Sequence, residues 1–359
     1  MSNQRVKATK PTHAPLFEGV SKRLRRLIAR MPPGARLDTE STLASQYDVS
    51  IRTIREAVHQ LLVEGLVDRR QGKGTFVLNA RERASVAILI QANLTASDTP
   101  YYWYRLVQEI RLACSNRQML SAVYTGQTPW FHGAPVETLA CPQFLDDLAD
   151  GRLRGVISVA TRPANPWWQP ALEINLPLVG DDDRMPVSVG IDHQSLVNLA
   201  VDAFVSAGRR RPALIRLSYS GGGEDTETTP LFLRAAEAAG IPIPMHRRLS
   251  LHDAGDWRLA AAAVSRWFSE ADRPDALFVE TDHIFPAVAM ALARAGAPED
   301  LTLVTHHNAG GPWSNILPAV RIGFDPAVIA KRMLDVLCDQ EQGRTASGSH
   351  LVPASILPR

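Results

Sequence analysis

The sequence has 359 residues, 45% of them hydrophobic and 21% charged, which is typical of a globular protein with two or three domains. No apolar run approaches the roughly 18 residues that cross a bilayer, and no apolar segment of a secretory signal follows the basic N-terminus. Cys114, Cys141 and Cys338 are far apart and odd in number, which argues against a disulfide framework. We therefore expect a cytoplasmic protein without membrane contact.

The charge is unevenly distributed along the chain. Residues 1–80 contain 14 Lys and Arg against 7 Asp and Glu, whereas the remainder contains 25 against 30. A basic first part joined to an acidic second part suggests that only the first part binds a polyanion. A solvated basic arm with no partner would explain the charge equally well.

The N-terminal part predicts three helices after a polar, disordered arm at residues 1–15. Apolar residues at helical spacing predict a first helix over residues 16–31, which Pro32 ends. A short second helix follows Thr39, whose hydroxyl can cap it, and Ser50 is expected to cap the third. The second and third helices flank a three-residue turn, which is the helix-turn-helix arrangement.

The segment "LVDRRQGKGTFVL" then predicts a basic hairpin. Gly72 and Gly74 allow a tight turn, and Arg69, Arg70 and Lys73 make its tip basic. Helices and hairpin together predict a winged helix over residues 16–78. In such a domain the first turn of the third helix enters the major groove of DNA, and the hairpin contacts the backbone or the minor groove.

The stretch "GARLDTESTLASQYDVSIRTIREAVHQLLVEGLVDRRQGKGTFV" resembles the GntR-family winged helix. The resemblance departs from the family at Ser41 and Ile51, where the family commonly has arginines that contact DNA. It implies a changed operator, in which Ile51 touches a thymine methyl group. The residues expected to face DNA are Arg36, Thr39, Ser50, Ile51, Arg52, Thr53, Arg55, Gln71, Gly72, Lys73 and Gly74.

After a polar linker at residues 79–84, residues 85–359 predict a second architecture. Apolar runs typical of buried parallel strands recur from "SVAILI" to "AVRIGF", and amphipathic helical segments lie between many of them. Such alternation over about 270 residues predicts a doubly wound α/β fold, and its length predicts two lobes. The expected fold class is α/β, with an N-terminal winged helix-turn-helix and a two-lobe effector domain.

Two stretches, "VGIDHQSLVNLAVDAFVSAGRRRPALI" and "RPDALFVETDHIFPAVAMALARAGAPEDLTLVTHHN", resemble the effector domains of the LacI/GalR family. The resemblance implies a periplasmic-binding-protein-like pair of lobes with a small molecule, most simply a sugar or sugar derivative, between them. Aromatic residues after the first strand could stack on a sugar ring or pack in the core instead. The expected ligand-binding residues are Tyr101, Tyr102, Trp103, Asp192, Asp282, His306 and His307.

The chain departs from the LacI/GalR pattern where an acidic segment is replaced by His306 and His307, so the identity of the ligand does not transfer. No His or Cys pair has metal-ligand spacing, and adjacent residues of a strand point in opposite directions, so neither a metal nor a cofactor is expected. No nucleophile motif indicates a catalytic residue. We expect a homodimeric, ligand-responsive transcriptional repressor that binds double-stranded operator DNA. An enzyme acting on a small molecule in the cleft and an activator of the same architecture remain alternatives.

Overall fold

The computed structural model describes residues 16–32, 34–78, 84–94, 99–128, 139, 141–161, 166–217, 228–251, 257–311, 317–344 and 347–358. The predicted arm at 1–15 lies outside these ranges, as does the linker except for Ala84. The chain divides into two compact units, one of residues 1–86 with 142–154 and one of residues 87–141 with 155–359.

The first unit contains the winged helix. Its elements are α1 (Leu16–Ala29), α2 (Glu40–Tyr47), α3 (Ile51–Val63), β1 (Val67–Arg70) and β2 (Gly74–Val77), with the two strands antiparallel. Apolar faces of all five elements share one core, in which Leu24, Ile54 and Leu61 are fully buried. The guanidinium of Arg25 donates to both carboxylate oxygens of Glu64 and so ties α1 to the end of α3.

The α1 helix is shorter than the sequence predicts. It ends at Ala29 because the amides of Arg30 and Met31 bond three residues back, to Leu27 and Ile28, which tightens the last turn ahead of Pro32.

The remaining elements form two layered α/β lobes. The strands of the first lobe are β3 (Ser85–Ala92), β4 (Ser121–Thr128), β5 (Leu153–Val159), β6 (Leu178–Gly180), β7 (Val187–Asp192) and β13 (Gly348–Pro353). Those of the second lobe are β8 (Pro212–Leu217), β9 (Arg248–Leu251), β10 (Ala276–Val279), β11 (Thr302–His306), β12 (Val320–Gly323) and β14 (Ser355–Ile356). The helices are α4 (Tyr101–Asn116), α5 (Pro142–Ala149), α6 (Gln169–Glu173), α7 (His193–Ser206), α8 (Thr228–Ala238), α9 (Trp257–Ser269), α10 (Phe285–Ala295) and α11 (Pro326–Glu341).

The strand order confirms the doubly wound architecture. The sheets run β13-β7-β6-β5-β3-β4 and β14-β12-β11-β10-β8-β9, and in the second sheet β9, β8, β10, β11 and β12 are parallel. Strand β14 pairs antiparallel with β12 at the edge. In parallel sheets of this kind, ligand-binding loops follow the carboxyl ends of the strands. The short elements β9, α5 and α6 were not predicted from the sequence.

The chain crosses between the two sheets three times. It passes from β7 into α7, which packs on β11 and β12, and from β12 into α11, which packs on α4. It crosses again between β13 and β14. Within the described part of the chain, no helix is long and apolar enough to cross a membrane.

Candidate functional site

The first turn of α3 presents polar and apolar side chains to solvent. The hydroxyl of Ser50 accepts a hydrogen bond from the amide of Thr53 at 3.1 Å, which confirms the predicted cap and fixes where the helix begins. Directly after this cap, Ile51 is 47% exposed and the side chain of Arg52 is 88% exposed. The cap therefore places both residues at the surface of the helix start.

The carboxylate of Glu40 connects three elements of the winged helix. At the start of α2, it accepts a hydrogen bond from Arg55 of α3 at 3.2 Å and another from Arg69 of β1. Both arginines remain at least 48% exposed in their side chains. Surface ion pairs contribute only about 0–1 kcal/mol, so an incoming phosphate could take either arginine from Glu40.

The hairpin tip carries the cationic turn that the sequence predicts. Gln71, Gly72 and Lys73 form an exposed turn between β1 and β2. Gly74 has φ of +116°, and a Cβ built on it would lie 2.6 Å from Nε of Arg36. A side chain at position 74 would displace Arg36, so glycine keeps this arginine against the hairpin.

The predicted DNA-facing residues thus fall into two groups in the structure. Thr39 and Ser50 act as helix caps, and the Ser50 hydroxyl also lies 2.8 Å from that of Thr53. The other group lies at the surface of α3 or in the hairpin, except for Arg36, which precedes α2 and bridges to Phe76 of β2. Sequence analysis did not select Glu40, Arg69 or Arg70 as site residues. The sequence did contain signals for these residues: Glu40 matches the GntR-family pattern, and Arg69 and Arg70 contribute to the basic charge of the hairpin.

In the first lobe, polar groups gather where β5 and β6 end. Ala160, directly after β5, has φ of +48°, which is uncommon for a residue with a side chain. Its amide donates to both carboxylate oxygens of Asp181, at 3.2 and 3.1 Å. Burial raises the pKa of the Tyr102 hydroxyl, and the negative charge of Asp181 acts in the same direction. Asp181 was not among the residues predicted from the sequence.

The two lobes approach each other beside these groups. A Cβ built on Gly310, which follows β11 of the second lobe, would lie 3.2 Å from Nε of Arg105 on α4 of the first lobe. Arg105 also pairs with Glu109 one turn later, at 2.6 Å. Tyr101, Tyr102 and Trp103 precede Arg105 in the first turn of the same helix, so this turn borders the junction between the lobes.

In the second lobe, His306 and Asn308 tie together the ends of three strands. His306 Nδ1 lies 3.1 Å from the carbonyl oxygen of Glu280, and its Nε2 lies 3.2 Å from Oδ1 of Asn308. The same Asn308 oxygen accepts from the amide of Phe324 at 3.2 Å. Since both ring nitrogens of His306 contact protein atoms, the imidazole stabilises the conformation of the chain where these strands end.

Acidic groups lie beside this network. Asp282 lies 3.5 Å from the amide of Asn308, and the buried carboxylate of Glu280 accepts a hydrogen bond from the hydroxyl of Thr229 at 2.7 Å. Glu280 and Asn308 were missed by the sequence analysis, because nothing local marks a residue whose partners come from other strands. Among the residues that the structure describes, no three His, Cys, Asp or Glu side chains are grouped to hold a metal ion.

His307 is buried next to this edge. Burial lowers its pKa from the usual 6.5, and Arg321 and His306 act in the same direction, whereas Asp282 opposes them. His307 is therefore neutral at neutral pH. The two adjacent histidines occupy different surroundings, as expected for neighbours at the end of a strand.

Asp192 has a structural role at a chain crossing. Its carboxylate accepts from the amide of Ser195 at 3.1 Å and caps α7. The Ser195 hydroxyl donates to the carbonyl of Asp192 at 2.7 Å and accepts from the amide of Ala354, also at 2.7 Å. Asp192 thus caps a helix at a connection between the lobes.

Comparison with known families agrees with both architectures. Residues 16–77 match "Bacterial regulatory proteins, gntR family", and residues 201–359 match "Periplasmic binding protein-like domain". The chain joins a GntR-type winged helix to a periplasmic-binding-protein-like domain. This confirms the two resemblances on which the sequence analysis relied.

Individual relatives share either the GntR-type winged helix or the fold of the lobes. The mannosyl-D-glycerate transport/metabolism system repressor MngR of Escherichia coli K12 is 35% identical over 88 residues, which are 24% of this chain and 37% of that protein. A LacI-family regulatory protein from Chloroflexus aggregans has a TM-score of 0.60 at 16% identity, over 76% of this chain and 97% of its own. The lac repressor dimer bound to operator and the anti-inducer ONPF has a TM-score of 0.57 at 18% sequence identity. This match covers 84% of the present chain and 96% of the repressor chain.

These matches have defined limits. The chain covers 24–37% of the length of the first curated relatives it matches. The structural neighbours, at 16–18% identity, establish the fold of the lobes. All of these relatives are transcriptional regulators.

The lowered pKa of His307 predicts a pH dependence of the periplasmic-binding-protein-like domain. The unfolded chain binds a proton near pH 6.5, where the folded chain does not, so stability is complete above this pH and falls as the pH decreases below it. Melting temperatures between pH 7.5 and 5 should decrease less steeply in His307→Gln than in the wild type. His246→Gln, at an exposed position, is the control. Parallel curves for His307→Gln and wild type would contradict the assignment.

Proposed function

We propose that this protein is a ligand-responsive transcriptional regulator, and specifically a repressor, that binds operator DNA as a dimer in the cytoplasm. The observation that carries the proposal is the capped start of α3, which exposes Ile51 and Arg52 beside the cationic hairpin of the same domain. One chain carries both a DNA-binding domain and a two-lobe ligand-binding domain. The simplest function of this combination is regulation of DNA binding by a small molecule.

The DNA-binding half follows from charge and geometry. The first turn of α3 enters the major groove, where Arg52 and Arg55 reach phosphates or guanine edges and Ile51 meets a thymine methyl group. Lys73 at the hairpin tip supplies a contact to the backbone or the minor groove. Because most of this affinity comes from counterion release, binding weakens steeply as salt rises.

Dimerisation is proposed through the outer face of α4 and the start of β4. Leu112 and Leu120 are 53% and 58% exposed, and both line an open groove of about 600 Å³ with Met119 and Arg111. Exposed apolar side chains grouped in this way mark an interaction surface. A second copy of the same face would cover both leucines through an isologous contact and would place two winged helices on a pseudo-palindromic operator.

The ligand proposed is a sugar or sugar derivative that binds between the lobes. Carboxylates of Asp181 and Asp282 accept hydrogen bonds from hydroxyl groups, and the aromatic first turn of α4 offers faces on which a sugar ring stacks. Asn308 and His306 keep the second-lobe edge in a fixed shape. The repressor MngR, whose system handles a glycosyl compound, supports this class by analogy.

The DNA-binding surface is tested by substitution at the start of α3. A duplex selected from a random pool should bind Arg52→Ala and Arg55→Ala about 10-fold or more weakly than wild type, since each bidentate base contact contributes ~1–3 kcal/mol. If an arginine contacts only phosphate, the salt slope should fall by about one instead. Arg294→Ala, exposed on α10, is the matched control. Wild-type affinity in both α3 variants would remove this helix from the contact surface.

The proposed dimer face is tested by Leu112→Asp. A buried carboxylate in an apolar interface is unpaired and costly, so we expect a monomer by sedimentation at concentrations where wild type is a dimer. Ile174→Asp alters an equally exposed apolar residue outside the groove and should leave the dimer intact. A dimeric Leu112→Asp variant or a monomeric wild type would rule out this face.

The ligand is sought by thermal shift with neutral sugars, amino sugars, sugar acids and sugar phosphates. A compound at 100 times its Kd adds about 2.7 kcal/mol of stability, which raises the melting temperature measurably. Asp282→Asn should abolish the shift, whereas Asp202→Asn, exposed on α7, should retain it. Conversion of the compound during incubation would support an enzyme instead, and no shift with any class would contradict the sugar proposal.

A further inference from the structure

Helix α1 of the winged helix contacts the end of α5 through charged groups. Lys22 Nζ lies 3.7 Å from a carboxylate oxygen of Asp146 and 3.7 Å from one of Asp150. One turn later, Arg26 Nε donates to the carbonyl of Ala149, the last residue of α5, at 3.1 Å. Two cations therefore meet the carbonyl end of a helix, where the helix dipole favours positive charge.

Asp150 is the centre of this contact. Its side chain is 4% exposed, and its two oxygens face different partners, with Oδ1 towards Lys22 and Oδ2 3.0 Å from Arg152. Arg152 also pairs with Asp147 at 2.7 Å. A nearly buried carboxylate requires compensating cations. Loss of Lys22 would remove one of the two ion pairs of Asp150 and leave the one with Arg152.

The backbone at Gly151 allows α1 to come this close. Gly151 has φ of +68°, and a Cβ built on it would lie 2.7 Å from Cβ of Ala29, at the end of α1. Both the left-handed backbone and the contact exclude larger residues. A glycine, an alanine and four charged groups therefore specify the approach of α1.

The contacted segment continues directly into β5. This strand begins at Leu153, three residues after Asp150, and ends at Val159, next to the Ala160 amide that is held by Asp181. Seven residues at about 3.3 Å each form a stiff connection of roughly 23 Å. The segment that α1 contacts is thus joined through one strand to Ala160 in the chain.

We propose that Lys22, Arg26, Asp146 and Asp150 form a latch that holds α1 of the winged helix against α5, and that β5, which follows α5 in the chain, carries ligand-dependent movement to this latch. Such a latch matters only when two winged helices must reach two half-sites together. The latch itself is independent of the proposed DNA-binding function, whereas its regulatory effect rests on that function. The two parts are tested separately.

The latch is tested in the full-length protein by carbodiimide cross-linking, which joins lysine amines to carboxylates in contact. Mass spectrometry should identify a Lys22–Asp146 link. Lys331 and Asp335, paired at 3.3 Å on one helix, provide the internal positive control. Recovery of the control link without the Lys22–Asp146 link would overturn the latch, whether or not the protein binds DNA.

The regulatory effect is tested with Asp146→Lys, which places a cation opposite Lys22 at a position whose side chain is 66% exposed and therefore tolerant. Binding to a duplex with two half-sites should weaken about fivefold or more, in the range typical of coupling between sites. Binding to a single half-site should not change. Equal effects on both duplexes, or none on either, would overturn the proposed role.

A charge-reversed pair completes the test. Lys22→Glu should weaken two-site binding as Asp146→Lys does, and the double variant should recover part of the loss if the residues interact. Arg23→Glu makes the same charge change on the neighbouring, exposed residue and measures the purely electrostatic effect on DNA. Additive losses in the double variant, or an equal loss in Arg23→Glu, would overturn the latch as the cause. Failure of wild type to bind any duplex would instead contradict the DNA-binding function.

Discussion

The hydroxyl of Ser195 holds together two of the three places where the chain crosses between the lobes. It donates to Asp192, where β7 leads into α7, and accepts from Ala354, between β13 and β14. Two connections that are far apart in sequence are therefore joined by one side chain. Any movement of one lobe on the other would act on this shared point and on the third connection, after β12.

The third connection is also tied to the proposed ligand edge. Asn308 accepts from the amide of Phe324, just after β12, and its same oxygen lies near the His306 ring. A ligand that alters the Asn308 contacts would act directly on this connection. The third connection and the proposed ligand edge are thus linked by short polar contacts, as buried polar atoms require.

Local sequence was sufficient for features whose partners are near in the chain. Thr39 and Ser50 were identified as caps because a capping hydroxyl bonds an amide three residues away, and the parallel strands were visible as apolar runs. Local sequence did not predict the role of Asp150, because its partner Lys22 is 128 positions away in the chain. It did not predict the role of Asp192 either, because the Ser195 that Asp192 caps is also bonded to the distant Ala354. Such roles depend on tertiary contacts, which neither periodicity nor charge pattern contains.

The pairing of Glu40 with Arg55 and Arg69 has a consequence for how the protein would search a genome. A random stretch of duplex must displace an internal carboxylate before either arginine is free, so weak encounters lose part of their electrostatic gain. A cognate site offers base contacts that offset this loss. In the proposed DNA complex, Glu40 would therefore compete with phosphate groups for both arginines.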